Sequence, residues 1–178
     1  YKKYSIRPDI VMYGKSLGNG FPISALVGKK NVMSSSNKTF ISSTFWTENI
    51  GTAAAIKTLE LMKKQKSWLV IKKRGQYIKQ RILDISKKHK INIKISGLDA
   101  MPKIEFDKKI NKLFCDFICY EMLQNKFLFK DTVYLSVSHT EKIIESFLKL
   151  FDKILLKLSL NKSKIKKFKT LADFKRYN

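Results

Sequence analysis

Short apolar runs alternate with longer helical stripes along this chain, and the change of period divides it in two. Ile10-Val11-Met12-Tyr13 is an apolar run held between Pro8-Asp9 and Gly14, which predicts a short buried strand. Ser24–Gly28 and Thr39–Thr44 predict a second and a third strand, with the polar loop Ser34-Ser35-Ser36-Asn37 between them. From Thr47 the period becomes helical. Ile50, Ala53, Ala54, Ile56, Leu59, Leu61 and Met62 recur on one stripe, and Thr47 is placed to cap its start. A further helix is predicted over about 68–90, carrying Leu69, Ile71, Ile78, Ile82, Leu83 and Ile85. Strands at 91–96 and 101–106 flank a turn at Gly97. A helix over 111–124, a strand over 132–137 and a last helix over 140–158 follow, the last with Ile143, Ile144, Phe147, Leu148, Phe151, Ile154 and Leu155 on one face. Strands and helices in this order predict an α/β chain. The expected organisation is a first part over 1–90 including a connecting helix, a smaller α/β domain over 91–160 and a basic tail over 161–178.

Composition adds a core and a charge. The 178 residues are 44% hydrophobic and 12% aromatic, too apolar for a disordered polybasic chain. Lys plus Arg number 37 against 14 Asp plus Glu, a formal charge of +23. Of the 37, 33 are Lys and only 4 are Arg. Readers of nucleic acid lean on the planar Arg fork, whereas these lysines are scattered beside apolar residues as on solvated helix faces. Residues 1–60 carry 8 − 3 = +5, so most of the excess lies away from the Gly-rich N-terminal segment. A basic nucleic-acid-binding module remains the alternative from another class, supported by charge alone, and no nucleic-acid partner is expected. Two cysteines, no signal-like start and no apolar run near the roughly 18–20 residues of a membrane span predict a cytoplasmic protein without a membrane partner. Cys115 and Cys119 stand one helical turn apart, but with only His89 and His139 elsewhere no metal set is predicted.

The candidate chemistry begins at Gly14-Lys15-Ser16-Leu17-Gly18-Asn19-Gly20-Phe21-Pro22, which holds three of the seven glycines and one of the three prolines. Lys15 ends an apolar strand and has glycines around it, a setting that suits an amine bonded covalently to a bulky ligand. The Gly-Lys-Ser triplet is not a phosphate-binding P-loop, because the glycine required six residues before the lysine is missing there, where Asp9 stands. A second constellation, Ser42-Ser43-Thr44, lies just before the helix expected from Thr47. Hydroxyls and free N–H groups at a helix start could hold a phosphate there, although a capped turn explains the same residues.

Taken together, these segments resemble the class III aminotransferases, the fold-type I pyridoxal-phosphate enzymes that include glutamate-1-semialdehyde aminomutase. Pro8-Asp9-Ile10, followed by Gly14 through Ala25, is similar to the family's Schiff-base lysine segment. Ser43-Thr44-Phe45-Trp46-Thr47-Glu48, running into Ala53-Ala54-Ala55, resembles the segment whose threonine binds the cofactor phosphate across a dimer interface. Ser136-Val137-Ser138-His139-Thr140-Glu141 is similar to the stretch that opens the last helix. The likeness covers nearly the whole chain and corresponds to the family's C-terminal half.

The resemblance implies a fold-type I transferase, made of the C-terminal part of the large domain plus the small C-terminal domain. It also implies an aminotransferase using pyridoxal 5'-phosphate to move an amino group from an amino donor to a keto or aldehyde acceptor, in a homodimer with a shared active site. Lys15 becomes the cofactor-bonding catalytic residue, and Thr44 with Ser43 its phosphate ligands. The family's pyridine-nitrogen aspartate, glycine-rich phosphate turn and ring-stacking aromatic are expected to precede Tyr1. Glutamate-1-semialdehyde 2,1-aminomutase is the alternative activity. Against it, Asn19 and Phe21 replace that enzyme's Gly and Leu, and Phe45 to Asn49 replace its Leu-Ser-Gly-Asn-Pro. Asn19, Trp46 and Glu48 are therefore expected at the pocket of a different amino or keto substrate, by analogy one from cell-surface carbohydrate synthesis.

Three other features carry blander readings. His139, with Ser138 and Glu141 spaced as a capping box, is expected to be structural. The two cysteines are expected in the core, and the lysine-rich stretch Lys162–Lys169 is expected to be a solvated terminal segment.

Overall fold

The computed structural model describes residues 4–106 and 111–160. Its contacts divide the chain into two compact units, separated between Ser67 and Trp68. In the first unit, β1 (Ile10–Tyr13) pairs antiparallel with β2 (Ala25–Gly28), Ile10 opposite Gly28 and Tyr13 opposite Ala25. A short α1 (Lys30–Met33) and a 3-10 turn (Ser34–Lys38) lead to α2 (Ile50–Gln65). The expectation of a buried β1 is corrected: Met12 is 75% exposed, and the sheet of the described residues has only these two strands, with most of its side chains open.

The third strand expected at 39–44 does not form. Thr39 closes the 3-10 turn, donating through both its N–H and its hydroxyl to the Ser36 carbonyl. Ser43 then starts a turn, its hydroxyl accepting from Phe45 N–H and its carbonyl from Trp46 N–H. Ser and Thr hydroxyls bond their local backbone in competition with a ladder, and here they prevail.

The second unit holds the core. Helix α3 (Ser67–Lys88) contributes Ile78, Ile82 and Ile85, and the hairpin of β3 (Ile93–Ser96) and β4 (Lys103–Phe106) contributes Ile93, Ile104 and Phe106. Helix α4 (Asn111–Gln124) adds Phe114, Ile118 and Met122 at fourfold spacing, and α5 (Glu141–Leu160) adds a stripe from Ile144 to Leu158. Phe147 sits at the centre, with the rings of Phe127, Phe129 and Phe151 within 6.0 Å of it. The unit therefore includes α3, which was expected to belong with the first part of the chain up to residue 90. The inward stripe of α3 packs into this core, and that places it here. The tail expected at 161–178 lies outside the described residues.

The strand expected at 132–137 is reduced to a single bridge, Lys103 to Thr132. Its backbone still follows β4: Val133 N–H donates to Pro102, Leu135 N–H to Ala100, and Ile104 N–H to Asp131. The facing position is Pro102, which has no N–H to return, so a regular ladder cannot close there. Helix α5 is capped by Thr140, whose hydroxyl accepts from Ile143 N–H at 3.4 Å, and not by the expected Ser138 box. At the other end of the unit Asp152 on α5 accepts from Lys88 at 2.7 Å and pairs with His89. Burial pushes the Asp152 carboxyl up, but the hydrogen bonds and charges of Lys88 and His89 outweigh it and hold the group below its ordinary range.

One glycine in α3 is fixed by contact. A Cβ on Gly75 would stand 1.7 Å from the Asp99 carbonyl oxygen, and the 97–99 loop is pinned by Lys79, whose amine donates to Asp99 and to the Gly97 carbonyl. In an open helix Gly→Ala gains about 1 kcal/mol. Here the overlap must cost more, since overpacking runs to about 1–3 kcal/mol. Gly75→Ala is expected to lower unfolding stability in urea, whereas a gain in stability would contradict the packing of this loop on α3.

Candidate active site

The loop from Gly14 to Ser24 joins β1 to β2 and carries Lys15 at its start. Leu17 N–H donates to the Gly14 carbonyl and Phe21 N–H to the Gly18 carbonyl, so the segment folds as two successive tight turns. Gly18 is buried, and a Cβ there would meet the Phe21 carbonyl oxygen at 2.2 Å. Lys15 itself has φ +50° and Asn19 φ +48°. A short polar Asn accepts that region readily, but a lysine there carries strain of order 1–3 kcal/mol that the rest of the loop must hold in place. The Lys15 side chain is exposed, and among the described residues its amine has no hydrogen bond or ion pair. It is a strained, unengaged amine at the end of a strand.

The second element is the turn into α2. Glu48 reaches forward, its Oε1 accepting from Ile50 N–H at 2.6 Å and its Oε2 from Gly51 N–H at 3.0 Å. The expected cap at Thr47 is therefore corrected, because a carboxylate one residue later satisfies two donors and favours the positive helix end. The same bonds correct one part of the expected anion corner: the helix N–H groups of Ile50 and Gly51 are already held by the protein's own carboxylate. Gly51 lets α2 approach the preceding loop, since a Cβ there would stand 3.0 Å from the Pro22 carbonyl oxygen.

Between the turn and the loop lies a cleft of about 720 Å³, walled by Ile23, Ile41, Phe45 and Trp46, with Ser43 and Glu48 on its lining. Of the six residues singled out from sequence, Ser43, Trp46 and Glu48 meet in this cleft, while Lys15, Asn19 and Thr44 are not on its lining. Thr44 is exposed, and its hydroxyl has no hydrogen bond among the described residues. Ile23 and Gly51 were not anticipated. The run Pro22-Ile23 beside the glycine loop, and a glycine in the first turn of an apolar helix, were the available signals.

In the second unit His139 is structural: its Nδ1 accepts from Ser136 N–H at 3.0 Å, and Arg74 holds the same turn by donating to the Val137 carbonyl at 2.8 Å. Cys115 and Cys119 are half-buried and unbridged, burial being the main cause that pushes the Cys115 thiol up to about 12. Among the described residues no group of three His, Cys, Asp or Glu could hold a metal ion, and no helix is long and apolar enough to cross a membrane.

The sequence model of the family Aminotransferase class-III matches residues 1–166. This chain belongs to the class III aminotransferases. Over 108 residues it is 32% identical to the 3-aminobutyryl-CoA aminotransferase of Cloacimonas acidaminovorans, covering 60% of this chain and 26% of that protein. It is 32% identical over 106 residues to the glutamate-1-semialdehyde 2,1-aminomutase of Methanosphaera stadtmanae, covering 58% and 25%. With the 2'-deamino-2'-hydroxyneamine transaminase of Streptomyces kanamyceticus it shares 26% over 148 residues, covering 80% and 37%. The chain thus spans between 25% and 37% of the length of these curated relatives. Among solved structures, the Sphingopyxis sp. MTA144 FumI protein superposes with a TM-score of 0.82 at 24% identity, over 88% of this chain and 38% of that one. The β-phenylalanine aminotransferase from Variovorax paradoxus does so at 0.81 and 17%, over 90% and 41%. The expected fold class, a fold-type I α/β transferase, is borne out. Pyridoxal phosphate is the cofactor of this class III family.

Proposed function

We propose that the whole protein is a pyridoxal-phosphate-dependent aminotransferase that moves an amino group from an amino donor to a keto or aldehyde acceptor. The observation that carries this reading is Lys15. It lies within the segment that matches the family, it is strained at φ +50°, and its amine is unengaged among the described residues. Strain of this kind persists where the surrounding loop enforces it, and it concentrates at functional positions. The residues present fit the cofactor: a free amine is the group needed to attach it, and the unused Thr44 hydroxyl is a donor for its phosphate.

Bound pyridoxal phosphate supplies the electron sink for the amino group. The protein's part belongs to its own side chains. Lys15 Nζ attaches the cofactor and, once displaced, carries a proton to and from the substrate carbon. Thr44, with Ser43 beside it, holds the phosphate of the neighbouring subunit, so the site is shared across a homodimer. Asn19, Trp46 and Glu48 border the substrate. In this reading the enzyme works in the cytoplasm. The mutase activity is the second reading, supported by the 32% identity to the Methanosphaera enzyme.

Thr44→Val in the full-length protein tests the placement. One hydrogen bond to a charged group contributes about 1.5–3 kcal/mol, so retention of the cofactor on dialysis should fall by about 10- to 150-fold while the melting curve of the cofactor-free protein is unchanged. Undiminished retention, or a full-length protein that is monomeric and holds the cofactor tightly, would remove Thr44 from the phosphate site.

A further inference from the structure

From residue 37 to residue 50 every residue is exposed but one, and that one is Glu48. Among the described residues the hydrogen bonds of segment 40–47 stay within 43–48. Phe45 N–H donates to the Ser43 hydroxyl, Trp46 N–H to the Ser43 carbonyl, and Glu48 N–H to the Phe45 carbonyl at 3.2 Å. The turn that carries Ser43 and Thr44 therefore has one polar attachment beyond its own bonds, the Glu48 carboxylate, which accepts from Ile50 N–H at 2.6 Å and Gly51 N–H at 3.0 Å. A carboxylate that takes two donors at once is held in orientation as well as in place. The helix it grips is itself seated. Gly51 is buried, a Cβ on it would stand 3.0 Å from the Pro22 carbonyl oxygen and 3.3 Å from Ile23 Cβ, and α2 also touches the Lys15–Leu17 turn. A continuous path thus runs from Thr44 through Glu48 and the first turn of α2 to the loop that carries Lys15.

From this geometry we propose that Glu48 is a positioning residue for the cofactor phosphate: it anchors the Ser43–Thr44 turn to α2 and, through Gly51, sets where that turn stands relative to the lysine loop. The proposal rests on the aminotransferase reading for the identity of the phosphate. Ser and Thr hydroxyls sit one bond from Cβ, so their position is that of the backbone, and they cannot reach out to make good a displaced turn. An exposed turn without an anchor would have to be ordered by the phosphate itself, at a cost in affinity. Glu48 supplies that order before the cofactor arrives. Its charge is engaged by two N–H groups at the positive end of α2, which offsets it beside an anion.

The test uses the full-length protein in two arms. In the first, amide hydrogen exchange is followed on the cofactor-free protein. Glu48→Ala should remove the protection of Trp46 and Glu48 N–H and leave that of Ile56–Met62 in α2 unchanged. In the second, retention of pyridoxal phosphate on dialysis is compared across variants. Glu48→Ala should lower it by at least about fivefold, and by no more than the 10- to 150-fold expected of Thr44→Val. Added to Thr44→Val, Glu48→Ala should lose at most about twofold more, because changes that act through one contact do not add. Glu48→Gln, which keeps one acceptor oxygen, should fall between Glu48→Ala and the unaltered protein in both arms, and it carries the test if Glu48→Ala unfolds. Unchanged exchange at Trp46 and Glu48, unchanged retention, or a full loss of retention on top of Thr44→Val overturns the proposal. So does a raised KM for the amino donor with retention intact, which would make Glu48 a substrate contact. An unaltered protein that holds no cofactor defeats the aminotransferase reading, and the exchange arm then decides the anchor by itself.

Discussion

Lys15→Ala is expected to abolish amino transfer in the full-length protein, lowering the rate by at least about 10²–10⁴-fold, the share that one positioned proton-transfer group contributes. The loss has two sources: the cofactor is no longer attached, and no amine remains to move the proton. Lys15→Arg should be almost as damaging, because it keeps the charge and removes the nucleophile. Neither change should lower stability. Alanine and arginine suffer the same left-handed backbone that lysine already adopts at φ +50°, and no side-chain hydrogen bond is lost among the described residues. Steady-state turnover with a panel of amino donors reads the first effect, and thermal unfolding of the cofactor-free protein reads the second. Full activity in Lys15→Arg would show that charge, and not covalent attachment, is what this position supplies.

Phe151→Ala is expected to produce the largest loss of stability. Phe151 is 0% exposed on the buried stripe of α5 and stacks on Phe147 with centroids 6.0 Å apart. Truncating such a ring costs about 3–5 kcal/mol through lost transfer energy and the cavity left behind. Set against a typical total of about 5–15 kcal/mol, that is enough to leave the second unit marginal. Leu156, on the same helix but 46% exposed, is the comparison. Leu156→Ala should stay within about 0.5 kcal/mol, the usual range for surface changes. Denaturant melts of both variants check the pair, and similar losses for the two would mean that α5 does not bury the face assigned to it.

The long elements were legible because their periodicity is redundant. Seven buried residues from Ile144 to Leu158 fix the inward face of α5, and no single misreading could rotate it. The helix over 111–124 was equally plain. Short apolar runs carried less information. Residues 39–44 and 132–137 both have strand-like composition, but the first is turned by hydroxyls that bond their own backbone, and the second faces a proline that cannot complete a ladder. Whether a strand forms depends on its partner, and the partner is not encoded in the run itself.

The site shows the same division. Lys15 stood out because glycines crowd around it and a family segment matches it. The role of Glu48 as a cap was hidden because its carboxylate reaches the helix from two residues before the first helical position, where the usual rule looks for a short hydroxyl or Asn at the cap itself. That no Lys or Arg among the described residues lines the cleft is a property of three-dimensional neighbours, and no window along a chain of 33 lysines displays it.

Borohydride reduction of the full-length protein as purified, followed by proteolysis and mass spectrometry of the peptides, bears most directly on the assignment of Lys15. The mass of reduced pyridoxal phosphate should appear on the peptide spanning Gly14–Pro22, with fragmentation placing it on Lys15. The same mass on a different lysine, or its absence from every peptide of a protein supplied with the cofactor, would contradict Lys15 as the attachment site.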